Sequence, residues 1–139
     1  GINARWRLFR YFSGAVYRPH IDGAWPGSGL KRPRFISSDY IFTDDCFGDR
    51  QSKLTFLIYL NGGFEGGRTT FFLPEGHTEG SKVVGGDAQY TGVVHAHSVT
   101  PQAGSVLCFR HGDALASLVH EGSNVTHGCK YVLRSDVLY

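Results

Sequence analysis

The sequence predicts an all-β domain, a sandwich or jelly roll, and three observations carry that prediction. Glycine supplies 19 of the 139 residues and aromatic residues reach 14%, a composition suited to short, half-buried strands broken by turns. Apolar runs recur with turn residues about every 8–12 positions, the spacing of sandwiches and barrels. No stretch repeats its apolar residues with the period of a helix.

Taken in order, residues 4–12 and 15–22 read as strands joined by the turn at Ser13-Gly14. Residues 23–52 hold two prolines, four glycines and mixed charge, and read as a long loop carrying a short strand around Arg34–Ile36. Loops of such length in a compact domain serve as lids or binding loops. "KLTFLIYLN", 53–61, is rich in branched and aromatic residues and stops at Gly62-Gly63; "GGRTTFFLP", 66–74, is a second strand, ended by Pro74. Residues 75–90 return to a polar, Gly-rich composition. Short strands follow at 91–98, 104–110 and 115–120, with a closing one at 129–138.

Length and charge narrow the classes further. The 139 residues read as one domain, 1–139, large enough to bury a core. A formal charge of +2 and a pI near 8.5 are too mild to imply nucleic acid or a membrane surface. Cys46, Cys108 and Cys129 are odd in number and lack CxxC spacing, against both a disulfide framework and a zinc knuckle. No apolar run of transmembrane length and no signal-peptide pattern stand out. The chain begins without Met and almost directly in a strand, as a trimmed fragment would, so its compartment is left open.

In "YRPHIDGAW", His20 and Asp22 stand two apart at the end of a strand. They share a face, about 6–7 Å apart along the chain. An imidazole and a carboxylate so placed suit a metal, a catalytic dyad or a salt bridge. A second polar cluster, "LVHEGSNVTHGCKYVLRSDVLY", spans 118–139. His120 ends an apolar strand there, and Lys130 lies on the closing strand with Val132 and Arg134 on the same face. Two histidines and one carboxylate on strand ends, with coordination positions left open, make the facial triad of non-haem Fe(II) oxygenases. A lysine pointing into a barrel is costly unless an anion meets it. A dicarboxylate held by the metal at one end would offer its other carboxylate to Lys130. On this reading His20, Asp22 and His120 are metal ligands.

These residues carry a family resemblance. The sequence resembles the catalytic core of the 2-oxoglutarate/Fe(II) dioxygenases, and among them the prolyl 4-hydroxylase-like branch. "RYFSGAVYRPHID", "LTFLIYLNGGFEGGRTTFF", "VTPQAGSVLCFRH" and "LVHEGSNVTHGCKYVLRSDVLY" follow the family's order, including the ten-residue step from His120 to Lys130. HxD alone arises by chance; HxD with a distal His, a basic residue ten further on and the "YLN…EGG.T.F" strand pair is specific. The resemblance implies a double-stranded β-helix, iron held by His20, Asp22 and His120, and Lys130 on the distal carboxylate of 2-oxoglutarate. Tyr11, Tyr17, Tyr59 and Thr69 match positions that line the cosubstrate pocket in relatives. It further implies Fe(II) and 2-oxoglutarate as cofactors, ascorbate as reductant and dioxygen as co-reactant. The implied reaction hydroxylates a C–H bond of a prolyl residue in a peptide or protein, with release of succinate and CO2.

Three departures bear on the substrate. Asp136 stands six residues after Lys130, where collagen-type and hypoxia-sensing relatives carry Trp. The stretch 75–99 is longer than the hairpin many relatives show there. The N-terminal helices that support the barrel in relatives have no counterpart in this sequence. A free amino acid, a small metabolite or another side chain is therefore an alternative substrate, and an inactive jelly-roll binding module is the alternative class. A halogenase is disfavoured because Asp22 fills the position halide needs, and a zinc hydrolase would lack a recognisable base.

The remaining polar residues have plainer readings. Arg134 is the rival anion binder, and Asp136 on the same parity makes it a structural ion pair instead. His95 and His97 alternate on a strand without a third ligand and read as solvated. Glu121 should face away from His120 by parity. Asn124-Val125-Thr126 matches a glycosylation acceptor, a pattern short enough to arise by chance. The loop at 23–52 is expected to be an unpaired lid, with cations at Lys31 to Arg34 and aromatic faces at Trp25, Tyr40 and Phe42 for an extended peptide.

Overall fold

The closing strand organises the molecule, because its ten residues alternate between an interior and an exterior face while pairing on both edges. The structure, a computed structural model, describes residues 1–32, 40–74, 82–84, 87–89, 93–111 and 117–139. Among the described residues the strands are β1 (Arg7–Phe12), β2 (Tyr17–His20), β3 (Gly29–Lys31), β4 (Ile41–Thr43), β5 (Ser52–Tyr59), β6 (Glu65–Gly66), β7 (Thr69–Pro74), β8 (Lys82–Val84), β9 (Asp87–Gln89), β10 (Val94–Val99), β11 (Val106–Arg110), β12 (Val119–Gly122), β13 (Val125–His127) and β14 (Cys129–Leu138). No helix among them is long and apolar enough to cross a membrane.

Two antiparallel sheets form the frame, in the orders β1-β14-β5-β11 and β10-β7-β12-β2. In the first, Tyr11 opposes Lys130, Phe9 and Tyr59 flank Val132, and Arg7 and Leu57 flank Arg134. The parity read from the sequence thus carries a mixed polar and apolar row to the interior. In the second sheet His20 opposes His120, and His120 opposes Phe71. The sheets meet where Phe71 of β7 packs edge-on against Phe109 of β11, with centroids 5.0 Å apart. This is the expected all-β jelly roll, a double-stranded β-helix.

The strand limits differ where local chemistry intervenes. The run expected at 66–74 divides into β6 and β7, because Gly66 and Gly67 both hold positive φ, 74° and 60°. A Cβ on Gly66 would collide with the carbonyl oxygen of Asn124, so this turn requires glycine for both conformation and space. Gly66→Ala should destabilise the fold by ~1–3 kcal/mol for the φ strain and by more for the collision, read as a lower urea midpoint. Gly14→Ala is the control. Gly14 shares the positive φ but has open space around its Cβ, so its loss should be the smaller one.

Elsewhere the expected strands at 4–12, 15–22 and 104–110 are trimmed to β1, β2 and β11, and that at 53–61 becomes β5, which starts one residue earlier and ends two earlier. The strand expected at Arg34–Ile36 lies outside the described residues. So do the first residues of those expected at 91–98 and 115–120, whose described parts fall in β10 and β12. Within the polar 75–90 stretch β8 pairs with β9.

The loop at 23–52 is not the unpaired excursion its composition suggests. β3 pairs with β4, Pro26 bridges Gln51, Gly27 N–H donates to Arg50 and Ser52 N–H to Trp25. Asn3 explains the anchoring. Wholly buried, it donates from its amide to Pro26 and accepts from Ser28 N–H, while its backbone N–H donates to Asp136. Trp25 is also committed: it lies beneath Arg5, whose guanidinium carbon is 4.1 Å from the ring centroid. Tyr40 and Phe42 stay exposed.

Candidate metal centre

His20 and His120 are brought together by register, as opposed residues of β2 and β12, with ring centroids 4.3 Å apart. Each ring is oriented from behind. His20 Nδ1 lies 2.8 Å from the Arg18 carbonyl oxygen and His120 Nδ1 2.9 Å from that of Leu118. A carbonyl oxygen only accepts, so each Nδ1 carries the ring proton and each Nε2 presents a lone pair. Those lone pairs face one carboxylate: His20 Nε2 is 3.4 Å from Asp22 Oδ1 and His120 Nε2 is 3.5 Å from Oδ2. All three ligand atoms lie within 4.8 Å of one another.

Lone pairs converging with no proton between them repel, and a divalent cation in their midst turns that repulsion into coordination. The donor set therefore fits an ion taking two imidazoles and one carboxylate on one side, with its other positions open. Among the described residues no second group of His, Cys, Asp or Glu reaches this arrangement. His95 and His97 lie exposed on β10 and belong to no such group.

The surroundings keep these ligands in coordinating form. Burial alone would raise the Asp22 carboxyl; the His20 ring, the Arg134 guanidinium, the His120 ring and the Thr55 hydroxyl outweigh it and hold the group far below the usual carboxylate range. Burial pushes the His120 imidazole down to about 4. Its ring stands 4.6 Å from that of Phe109 and 5.8 Å from that of Phe71.

Arg134 differs from the expected pairing with Asp136. Its Nη1 lies 2.8 Å from Asp22 Oδ1, whereas Nη2 is 3.7 Å from Asp136 Oδ1. Arg7, opposite Arg134 in the β1–β14 register, takes Asp136 Oδ2 at 3.2 Å instead. Arg134 thus reaches the Asp22 carboxylate, just past the end of β2.

Lys130 is 4% exposed. Its Nζ donates to the Gly67 carbonyl at 2.5 Å and sits 5.5 Å and 5.3 Å from the ring centroids of Tyr11 and Tyr59. No carboxylate of the described residues pairs with it, and burial pushes it down to about 8. A desolvated cation held only by a neutral acceptor and two ring faces calls for an anion.

One cavity is lined by Lys130, Tyr11, Tyr17, Tyr59 and Thr69 together with His20, Asp22 and His120. The residues read from the sequence as metal ligands and cosubstrate contacts therefore line one cavity. Tyr59 Oη and Thr69 Oγ1 are 2.7 Å apart, and burial raises both Tyr59 and Tyr11, the latter to about 12. Both phenols therefore stay protonated. Glu121, expected to face outward, is half-buried and contributes to the lining, with Ser123 donating to its Oε1 at 3.1 Å.

Sequence reasoning missed the groups behind Asp22. Thr55 Oγ1 lies 2.6 Å from Asp22 Oδ2 and 2.7 Å from His111 Nδ1, and His111 Nε2 lies 2.7 Å from Ser52 Oγ. His111 is 2% exposed, and burial pushes its imidazole down. A signal was present: Thr55 shares parity with Leu57 and Tyr59, and His111 with Phe109.

A family model described as the 2OG-Fe(II) oxygenase superfamily matches residues 6–135. Neither a curated protein nor a solved structure matches the chain.

Proposed function

The chain belongs to the 2OG-Fe(II) oxygenase superfamily, and from that premise we propose how its own residues serve the reaction. Membership implies dependence on Fe(II), 2-oxoglutarate and dioxygen. In the proposal His20, Asp22 and His120 hold the iron, and Lys130 binds the distal carboxylate of 2-oxoglutarate. Tyr11, Tyr17, Tyr59 and Thr69 line the cosubstrate's place, and residues 1–139 form a single catalytic core. The observation that carries this reading is Lys130, buried without a counter-charge among the described residues, in the cavity that also holds the three converging ligand atoms.

Bound together, iron and 2-oxoglutarate would supply the oxidising chemistry with dioxygen, one oxygen atom of O2 going into the succinate formed as 2-oxoglutarate loses CO2 and the other into a substrate C–H bond. Ascorbate serves as reductant for the iron. The protein's part is orientation and exclusion of water. Arg134 and Thr55 hold Asp22 from two sides, while Phe71 and Phe109 pack against His120.

The proposed substrate is a prolyl residue in a peptide or protein. Tyr17 supports it: its ring meets His20 edge-on with centroids 4.3 Å apart, yet it is 44% exposed, so an aromatic face opens beside the metal ligands. Tyr40 and Phe42, in the segment that follows Asp22, offer further exposed aromatic faces on which proline rings stack.

A panel of proline-containing peptides, free amino acids and small metabolites, screened for stimulated succinate release, tests this. A prolyl peptide should stimulate release and gain one oxygen. Stimulation by a free amino acid or metabolite would instead move the substrate to that class. Full-length protein that binds iron and 2-oxoglutarate but never releases succinate would be a binding module.

Tyr40→Ala with Phe42→Ala tests the loop without removing its anchored base. Slow decarboxylation without substrate should survive, while peptide-stimulated turnover should fall at least tenfold, about the loss of two stacking contacts. Unchanged stimulated turnover would place substrate reading elsewhere.

A further inference from the structure

Asp22 is the one carboxylate among the proposed ligands, and its two oxygens are held differently. Oδ1 meets the Arg134 guanidinium at 2.8 Å. Oδ2 meets a hydroxyl, Thr55 Oγ1, at 2.6 Å. A guanidinium can only donate, whereas a hydroxyl can turn its proton elsewhere. Something must therefore settle where the Thr55 proton points.

We propose that His111 is a positioning residue for Asp22, acting through Thr55 in a directed hydrogen-bond relay that begins at the backbone of Trp25. The directions follow from the partners. Trp25 N–H can only donate, and it donates to Ser52 Oγ at 2.8 Å. The Ser52 hydroxyl then gives its own proton to His111 Nε2, 2.7 Å away. Nε2 is thereby the accepting nitrogen, so the ring proton sits on Nδ1. That proton goes to Thr55 Oγ1 at 2.7 Å. Thr55, now an acceptor from His111, has its one proton left for Asp22 Oδ2.

The opposite tautomer breaks the chain at two places. A proton on Nε2 would point at Ser52 and leave the Ser52 hydroxyl proton without an acceptor among the described residues. A bare Nδ1 would compete with Asp22 for the Thr55 proton. Ser52 and Thr55 are both fully buried, so water cannot fill in at either place, and an unmet buried donor is costly. His111 itself is fixed just past the end of β11, where its N–H donates to the Lys53 carbonyl at 2.9 Å.

The relay thus starts three residues after Asp22 in the chain, passes through β5 and the end of β11, and returns to the carboxylate. It ties the anchored base of the 23–52 loop to the orientation of one ligand. This inference rests on the proposal that Asp22 binds the metal, and its test separates the two.

The test uses Co(II) alone as probe, followed by its ligand-field absorption, with no cosubstrate and no turnover. Outer groups that orient a ligand typically account for about 10–100-fold in metal affinity. Thr55→Val and His111→Leu should each weaken Co(II) binding by that order and shift the spectrum. Thr55→Ser and His111→Asn, whose amide N–H can stand where Nδ1–H stands, should keep affinity close to the parent. The double variant Thr55→Val/His111→Leu should bind no more weakly than Thr55→Val, because His111 acts only through Thr55. Parental affinity and spectrum in His111→Leu, or losses that multiply in the double variant, would overturn the relay. Should His111→Leu fail to fold, His111→Phe takes its place: weakened Co(II) binding there with retention in His111→Asn supports the relay, and parental binding in His111→Phe or loss in His111→Asn overturns it. A parent whose Co(II) binding is indifferent to Asp22→Ala would overturn the ligand assignment itself, a different result from any of these.

Discussion

His20→Ala is expected to abolish Fe(II)-dependent turnover of 2-oxoglutarate while leaving the unfolding midpoint near that of the parent. The ring sits at the end of a four-residue strand with 19% of its side chain exposed, against 7% for His120, so less packing is lost with it than with His120. Two protein ligands then remain where three converge. His120→Ala should abolish turnover equally, but at a cost to the fold. His120 is 5% exposed and wedged among His20, Phe71 and Phe109, and truncating a buried ring of that size costs roughly 2–4 kcal/mol. Succinate assays alongside urea unfolding separate the two effects. Fe-dependent activity retained in both variants would remove the triad from the account.

Lys130→Ala should raise the requirement for 2-oxoglutarate by two to three orders of magnitude and leave metal affinity unchanged. Removing one partner of a desolvated ion pair costs about 3–5 kcal/mol, much of it from the charge left behind. Arg134→Ala should show the reverse pattern, losing metal affinity more than cosubstrate affinity, because its guanidinium holds Asp22. Calorimetric titrations of each ligand into each variant read the ranking directly, and a larger 2-oxoglutarate loss in Arg134→Ala would move the anchor.

The same lysine sets a pH dependence. Burial puts it at about 8 in the free protein, and a bound carboxylate raises it again. Below about pH 8 the lysine is already charged, and binding of 2-oxoglutarate should vary little. Above that value binding must take up a proton, so affinity should fall by up to about tenfold per pH unit. A flat affinity from pH 8 to 10 would mean that another group carries the charge.

Much of this site was legible because strand periodicity alone supplies it. The two-residue step of His20 and Asp22, and the shared face of Lys130, Val132 and Arg134, need only alternation. The meeting of His20 with His120 needs register between distant strands, which spacing cannot supply; the donor types suited to a facial triad suggest the grouping and the family resemblance reinforces it. The partner of Arg134 was misread for a related reason. Parity does put Asp136 on its face, but Arg7, from the first strand, occupies that carboxylate and turns Arg134 toward Asp22. The loop at 23–52 was misread because a single buried residue, Asn3, pins it, and one polar side chain leaves no pattern. The short pairs β3–β4, β6–β13 and β8–β9 are too brief to show a period. His111 lay in plain sight two residues after Phe109, yet its importance depends on β5 groups that only folding brings beside it.

The account is tested most directly by an anaerobic crystal structure of the protein with Fe(II) and 2-oxoglutarate, the metal located by its anomalous scattering. Iron is expected in bonding contact with His20 Nε2, His120 Nε2 and the Asp22 carboxylate, with the distal carboxylate of 2-oxoglutarate at Lys130 Nζ. Iron on a different set of ligands, or that carboxylate on Arg134 with Lys130 left empty, would contradict it.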